Sequence, residues 1–259
     1  MVRLGLLRRR PLLHVATDRG SGPVVVLLHG IASSWVTFEN VIPLLDGRHR
    51  VLALDLLGFG GSPAPDDAAF TLDDHAAAVH RTLRRMRVGA PFVLVGHSMG
   101  ALIAARYGAA FPRDLSRVVL VSPPIYLAPS AIGDPLDRAA MELYLRAYGF
   151  LRENKEFTIR AAGQLARLSP IKDLLDVSDD NWRAFVLSLQ RSIESQTTVS
   201  DLAAIRVPIE IVYGTLDPFL APAGIRIAER LRGVTSHRVV GGDHVIRRRM
   251  ARVVATAVG

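Results

Sequence analysis

Pro91-Phe92-Val93-Leu94-Val95-Gly96-His97-Ser98-Met99-Gly100-Ala101-Leu102-Ile103-Ala104 changes character twice within a short span. Phe92–Val95 is apolar and β-branched, the composition of a buried strand. Ala101–Ala104 runs on through Ala105-Arg106-Tyr107 with the composition of a helix. Between them, Gly96-His97-Ser98-Met99-Gly100 predicts a sharp turn with a serine at its apex. Such a turn strains the serine backbone, and a glycine on either side leaves room for the neighbouring chain. Strand, turn and helix in this order make G-x-S-x-G a nucleophile elbow, with Ser98 Oγ exposed at the start of a helix.

Outward from the elbow, apolar strands alternate with helices. Val24–Leu28, Val51–Asp55, Val118–Ser122, Ile209–Tyr213 and Ser236–Val240 read as strands. A helix carrying Trp35, Phe38, Val41, Ile42 and Leu45 follows the first, and another starts after Thr71, with Asp74 completing a variant capping box. Further helices are expected near Ala221–Arg232 and from Val245. Val2–Leu7 and Leu12–Ala16 read as a hairpin or two edge strands before the turn formers Thr17–Pro23. From Pro123 to about Arg206 the alternation stops, and three helical stretches appear near Asp137–Leu151, Lys155–Leu168 and Asp180–Glu194. Strands that are apolar throughout and alternate with helices predict an α/β architecture, a doubly wound and mostly parallel sheet covered on both faces.

A chain of 259 residues, 49% hydrophobic and 22% charged, is long enough for one large domain with an inserted subdomain. It has no cysteine, which excludes disulfides and thiolate metal sites. No apolar run reaches the ~18 residues that span a bilayer, and the N-terminal apolar stretch is short and closed by Arg8-Arg9-Arg10, so stable membrane insertion is not expected and a cytoplasmic location is. The formal charge of +8 is almost all arginine, with Lys155 and Lys172 the only lysines. Arg81, Arg84, Arg85 and Arg87 suit a solvated helix face, and no basic cluster is interleaved with base-stacking aromatics; nucleic acid is not an expected partner. Capping explains the acids of Asp73-Asp74-His75, so no metal site is read there.

A serine hydroxyl becomes a nucleophile only when a base removes its proton, and the base needs a carboxylate to hold its tautomer. Several segments around the elbow bear on where these groups lie. His29-Gly30-Ile31-Ala32 follows an apolar strand, Asp55-Leu56-Leu57-Gly58-Phe59-Gly60-Gly61-Ser62 is similar to a D-x-x-G-x-G-x-S loop, and Tyr213-Gly214-Thr215-Leu216-Asp217-Pro218 and Gly241-Gly242-Asp243-His244 each end a strand. Together with the elbow they resemble the α/β-hydrolase family, in matching order over the chain outside residues 123–205. The resemblance implies the α/β-hydrolase fold, with a catalytic domain from residues 1–122 and 206–259 and a helical cap from 123–205.

It also implies a triad in the chain order serine, acid, histidine. Of the eight histidines, His14, His49, His75 and His80 precede Ser98, His29 reads as a brace under its loop, His97 holds the elbow's variable position, and His237 lies inside a strand. His244 is left, and its placement matches the family's base. Asp217 stands where the family has its carboxylate; Asp243 is the close competitor. The oxyanion donors implied are the backbone N–H of Ile31, with Ala32 as the neighbouring possibility, and that of Met99.

The expected activity is that of a cofactor-independent serine hydrolase acting on a small-molecule carboxylic ester with an apolar acyl group. A meta-cleavage-type carbon–carbon hydrolase, a lactonase or a perhydrolase would use the same triad, and a ligand receptor or lyase on this fold is the different class. Serine at the elbow argues against the aspartyl-ester chemistry of epoxide hydrolases and haloalkane dehalogenases. In Asp137–Leu151 apolar residues cover about two-thirds of the helix circumference, against the ~100° a surface helix needs. Met141, Tyr144, Leu145 and Tyr148 are therefore expected to line an apolar pocket above Ser98. The oligomeric state is not legible.

Overall fold

A computed structural model describes residues 11–169, 171 and 174–259. Its centre is a sheet of strands β1 (Val15–Arg19), β2 (Val24–Leu28), β3 (Arg50–Leu54), β4 (Phe92–His97), β5 (Leu115–Val121), β6 (Ile209–Gly214) and β7 (Val234–Val239), in the order β1-β3-β2-β4-β5-β6-β7. All neighbours run parallel except β1, which pairs antiparallel with β3.

The helices described are α1 (Ile42–Leu45), α2 (Leu72–Arg85), α3 (Met99–Ala110), α4 (Pro135–Glu153), α5 (Lys155–Leu168), α6 (Trp182–Ser188), α7 (Thr198–Ala204), α8 (Pro222–Ala228) and α9 (Arg248–Val258), with α2 and α3 on one face of the sheet and α1 and α9 on the other. Successive strand residues point to opposite faces, so two-sided burial demands unbroken apolar strands. Val26, Leu28, Leu94 and Leu120 pack with the buried residues of α2 and α3. Val25, Leu27, Val95 and Val119 pack with Phe38, Ile42, Met250 and Val254.

Local chemistry explains where the boundaries depart from the sequence reading. The helix expected over Trp35–Leu45 is a 3-10 turn at Trp35–Phe38 followed by the single turn α1. Pro43, the second residue of α1, has no N–H to continue a helix arriving from upstream. The edge strand lies at Val15–Arg19, so it shares Val15 and Ala16 with the expected Leu12–Ala16 and runs on through Thr17–Arg19 into the predicted turn region. Asp18 accepts from Arg50 Nε and Nη2 at 2.9 and 2.8 Å across the β1–β3 pair. The predicted strand Val2–Leu7 lies outside the described residues. Thr71 Oγ1 accepts from Asp74 N at 3.1 Å, and Asp74 Oδ2 accepts from Thr71 N at 3.3 Å, so both halves of the capping box form. The stretch between β5 and β6 is helical and includes α7, which the sequence reading passed over; α6 runs on as a π-helical turn over Leu189–Glu194.

Strand order decides what meets. The sequence order of strands reverses between β2 and β4, a topological switch point whose crevice lies beyond the strands' carboxyl ends. Leu28 pairs with Gly96 there, so the segments starting at His29 and Ser98 emerge side by side. β5, β6 and β7 are successive neighbours, which brings the loops after β6 and β7 to the same edge. Among the described residues no helix is long and apolar enough to cross a membrane.

Candidate active site

Ser98 has φ 53° and ψ −122°, a left-handed conformation that a residue with a Cβ adopts only under constraint. The constraint is visible on both sides. Its N–H donates to Val121 O at 2.9 Å, and its carbonyl accepts from Ala101 N at 2.9 Å as α3 begins. A Cβ on Gly96 would lie 2.1 Å from Gly100 O, and one on Gly100 2.2 Å from Leu28 O. The elbow glycines are therefore demanded by close backbone approach rather than by turn geometry alone.

His29 is buried behind the β2 loop. Its Nδ1–H donates to Gly30 O at 2.7 Å, and its Nε2 accepts from Leu56 N at 2.8 Å. Both nitrogens are used, which is the brace expected. Ile31, with Gly30, borders the same cavity as Ser98, and Met99 is the first residue of α3, whose N-terminal dipole favours negative charge.

Across the crevice, His244 Nδ1 lies 3.0 and 2.9 Å from Asp217 Oδ1 and Oδ2. The Asp217 side chain is fully buried. Burial would raise its carboxyl, but the hydrogen bond and charge of His244 and the Phe219 N–H at 2.9 Å outweigh it and hold Asp217 below the ordinary carboxylate range. An ionised carboxylate only accepts, so His244 donates through Nδ1–H, and in the neutral imidazole this tautomer makes Nε2 the acceptor. Asp243 is turned elsewhere: it is paired with Arg247, Oδ2 to Nη2 at 2.7 Å. Among the described residues no hydrogen bond joins Ser98 Oγ to His244, although both face one cavity. Catalytic hydrogen bonds are often loose until substrate arrives.

Two supports of His244 escaped the sequence reading. His97 Nε2 donates to the His244 carbonyl at 2.8 Å, and the Phe219 ring meets the imidazole edge-on, 4.8 Å between centroids. The sequence reading turns the His97 side chain away from Ser98; in the structure His97 borders the same cavity as Ser98 and anchors the loop of the candidate base. The strand–loop alternation signalled that loop and not its contacts.

Burial, reinforced by the charge of His244, pushes His97 down to about 3, and burial pushes His29 and His75 down to about 4. All three fold in the neutral form, whereas in the unfolded chain they titrate near 6.5. Below that pH the unfolded state binds protons that the folded state refuses, so stability falls as pH drops from about 6.5 towards about 4. Urea unfolding followed by tryptophan fluorescence should give a midpoint that declines over this range and is flatter for His75→Gln. A pH-independent midpoint would contradict the neutral burial.

The cavity holds about 510 Å³ and extends from Ser98 and His244 under the helical stretch. Ala161, Ala162 and Leu165 of α5, with Phe185, Leu189 and Ile193, supply much of its wall. Ser33 and Thr37, their hydroxyls 2.9 Å apart, are a polar notch in it.

Of the four α4 residues expected in the pocket, Tyr148 borders this cavity, and Met141, Tyr144 and Leu145 do not. Met141 and Tyr144 border a separate hollow of about 40 Å³ against Ala221–Gly224. Leu145 is half-buried and packs on the core. The premise that α4 must be covered on two sides fails: Leu136, Leu143 and Phe150 are 82%, 66% and 49% exposed, so one apolar face meets water, and α4 lends the wall Tyr148 and Leu151 while α5 adds Ala161, Ala162 and Leu165. Glu142 and Arg146 do form the expected i,i+4 pair at 3.7 Å.

The model of the alpha/beta hydrolase family matches residues 25–256. Among curated relatives, a probable lysophospholipase of Arabidopsis thaliana, BODYGUARD 1, is 33% identical over 121 residues, 45% of this chain and 26% of that protein. Lipase 3 of Moraxella sp. is 28% identical over 110 residues, 42% of this chain and 35% of its own length. The match thus spans about a quarter to a third of the relatives' length. Among solved structures, an esterase of Exiguobacterium antarcticum superposes with a TM-score of 0.75 at 18% identity, covering 95% of both chains. E-2-(acetamidomethylene)succinate hydrolase gives 0.71 at 22% identity over 96% of both. At these identities the structural likeness concerns the fold.

Proposed function

Because this chain belongs to the α/β-hydrolase family, we propose that it is a hydrolase, and specifically a serine esterase acting on carboxylic esters with an apolar acyl group. The observation that carries the reading is the opening of the strained Ser98 and the Asp217-oriented His244 into one large apolar cavity. Its volume falls within the range of small-molecule sites.

In this reading His244 Nε2 takes the Ser98 proton as Oγ attacks the ester carbonyl, and the backbone N–H groups of Ile31 and Met99 hold the oxyanion. His244 passes the proton to the departing alcohol, then activates water against the acyl-enzyme. Asp217 keeps the imidazole in the productive tautomer and stabilises the imidazolium. Residues 123–205 serve as a cap that roofs the acyl site, on a catalytic domain formed by 1–122 and 206–259. The printed descriptions of the relatives, a probable lysophospholipase, a lipase and an esterase, support ester chemistry.

The test is hydrolysis of p-nitrophenyl esters of graded acyl length by wild type and two variants. Ala162→Phe adds a ring to the cavity wall and should move the optimum to a shorter chain, each excluded methylene costing ~1 kcal/mol of specificity. Leu145→Ala should leave the optimum where it is, since Leu145 lies outside the cavity. If Ala162→Phe leaves the profile unchanged, the acyl group does not bind under α5.

A further inference from the structure

The hydroxyl of Tyr144 lies outside the substrate cavity, yet it ends on the loop that carries Asp217. It donates to the carbonyl of Pro218. That carbonyl and the N–H of Phe219 belong to one peptide group, and this N–H donates to Asp217 Oδ1 at 2.9 Å. Asp217 accepts in turn from His244 Nδ1. The hydrogen bonds therefore run without a gap from a helix of the 123–205 stretch, through a single peptide unit, to the imidazole.

We infer that Tyr144 is a positioning residue for catalysis, holding and polarising the 218–219 peptide so that its N–H stays aimed at Asp217. The inference rests on Ser98, Asp217 and His244 acting as the triad. In a chain of hydrogen bonds each link polarises the next, so a donor on the Pro218 oxygen makes the Phe219 N–H a stronger donor to the carboxylate. It also resists rotation of the peptide plane. A rotated plane would leave a buried carboxylate one donor short and free to turn away from Nδ1.

Tyr126 supplies the comparison within the same cluster. Its ring stacks on Tyr144 with centroids 5.7 Å apart, and its hydroxyl donates to the next carbonyl along, Phe219 O, at 3.2 Å, while lying 2.7 Å from Tyr148 Oη. The N–H of that next peptide is Leu220's, and it goes to the main-chain oxygen of Asp217, not to the carboxylate. Two tyrosines thus touch adjacent peptides of one loop, and only the Tyr144 peptide touches the carboxylate. A generic loop support would make the two equivalent. The relay makes them different.

Tyr144→Phe and Tyr126→Phe, each in the full chain, separate these cases by three readouts: the rate of fluorophosphonate labelling of Ser98, kcat and KM for a short p-nitrophenyl ester, and the NMR resonance of the His244 Nδ1 proton. Tyr144→Phe should slow labelling and lower kcat about 3- to 10-fold with KM unchanged, the loss of one ordinary hydrogen bond from the transition state, and should move the Nδ1 resonance. Tyr126→Phe should leave all three near wild type while lowering the melting temperature, because its hydroxyl is the more buried. Wild-type labelling and an unmoved resonance in Tyr144→Phe would overturn the relay, as would equal effects from both variants. Failure of the wild type itself to label would instead overturn the assignment of Ser98, and the relay with it.

Discussion

Ser98→Ala should lower kcat by about 10⁴-fold or more and leave the fold intact, because without the nucleophile only binding and the oxyanion donors remain. The fold is expected to survive for a local reason. Among the described residues Ser98 contributes its backbone to the sheet edge and to α3, through Val121 O and Ala101 N, and its side chain makes no hydrogen bond. Loss of the hydroxyl also removes no buried partner's only contact. A fluorophosphonate should label the wild type once, at Ser98, and the variant not at all. Labelling that persists in Ser98→Ala would place the nucleophile elsewhere, and an unchanged melting temperature would show that the loss is chemical.

Asp217→Asn carries the second large effect. The amide can donate to Nδ1, which favours the imidazole tautomer protonated on Nε2, the atom that must accept the serine proton. A loss of roughly 10³–10⁴ in kcat follows from that inversion alone. Asp243→Asn should cost less than about tenfold, since Asp243 bonds Arg247 and the Val245 N–H and leaves His244 alone. Steady-state kinetics on one activated ester rank the two. If Asp243→Asn proves the more damaging, the acid of the triad has been misassigned.

These two carboxylates show where sequence reading ends. They lie on different loops, and the choice of Asp217 over its competitor Asp243 comes from the family resemblance rather than from spacing. Parallel pairing of β6 with β7, Gly214 opposite Val239, carries Asp217 across to His244. The pocket illustrates the same limit from the other side. The apolar excess of Asp137–Leu151 was legible, but periodicity gives faces and not partners. α4 presents Tyr144 and Met141 to the α8 side, leaves Leu136, Leu143 and Phe150 in water and reaches the cavity through Tyr148 and Leu151, while α5, with a less conspicuous pattern, borders it as well.

By itself the sequence determined the elements that depend on neighbours along the chain. Unbroken apolar strands specify a sheet buried on both faces, Gly96 and Gly100 around Ser98 specify the elbow, and Thr71 with Asp74 specifies a helix start. Each rests on sterics or hydrogen bonds spanning a few residues. Only the tertiary structure decided which side chains meet across the crevice: His97 under the His244 loop, Phe219 against its ring, Tyr144 on the Pro218 carbonyl and α5 over Ser98. Those contacts join residues far apart in the chain, and what brings them together is strand order and helix docking, a property of how the whole core is buried rather than of any one segment.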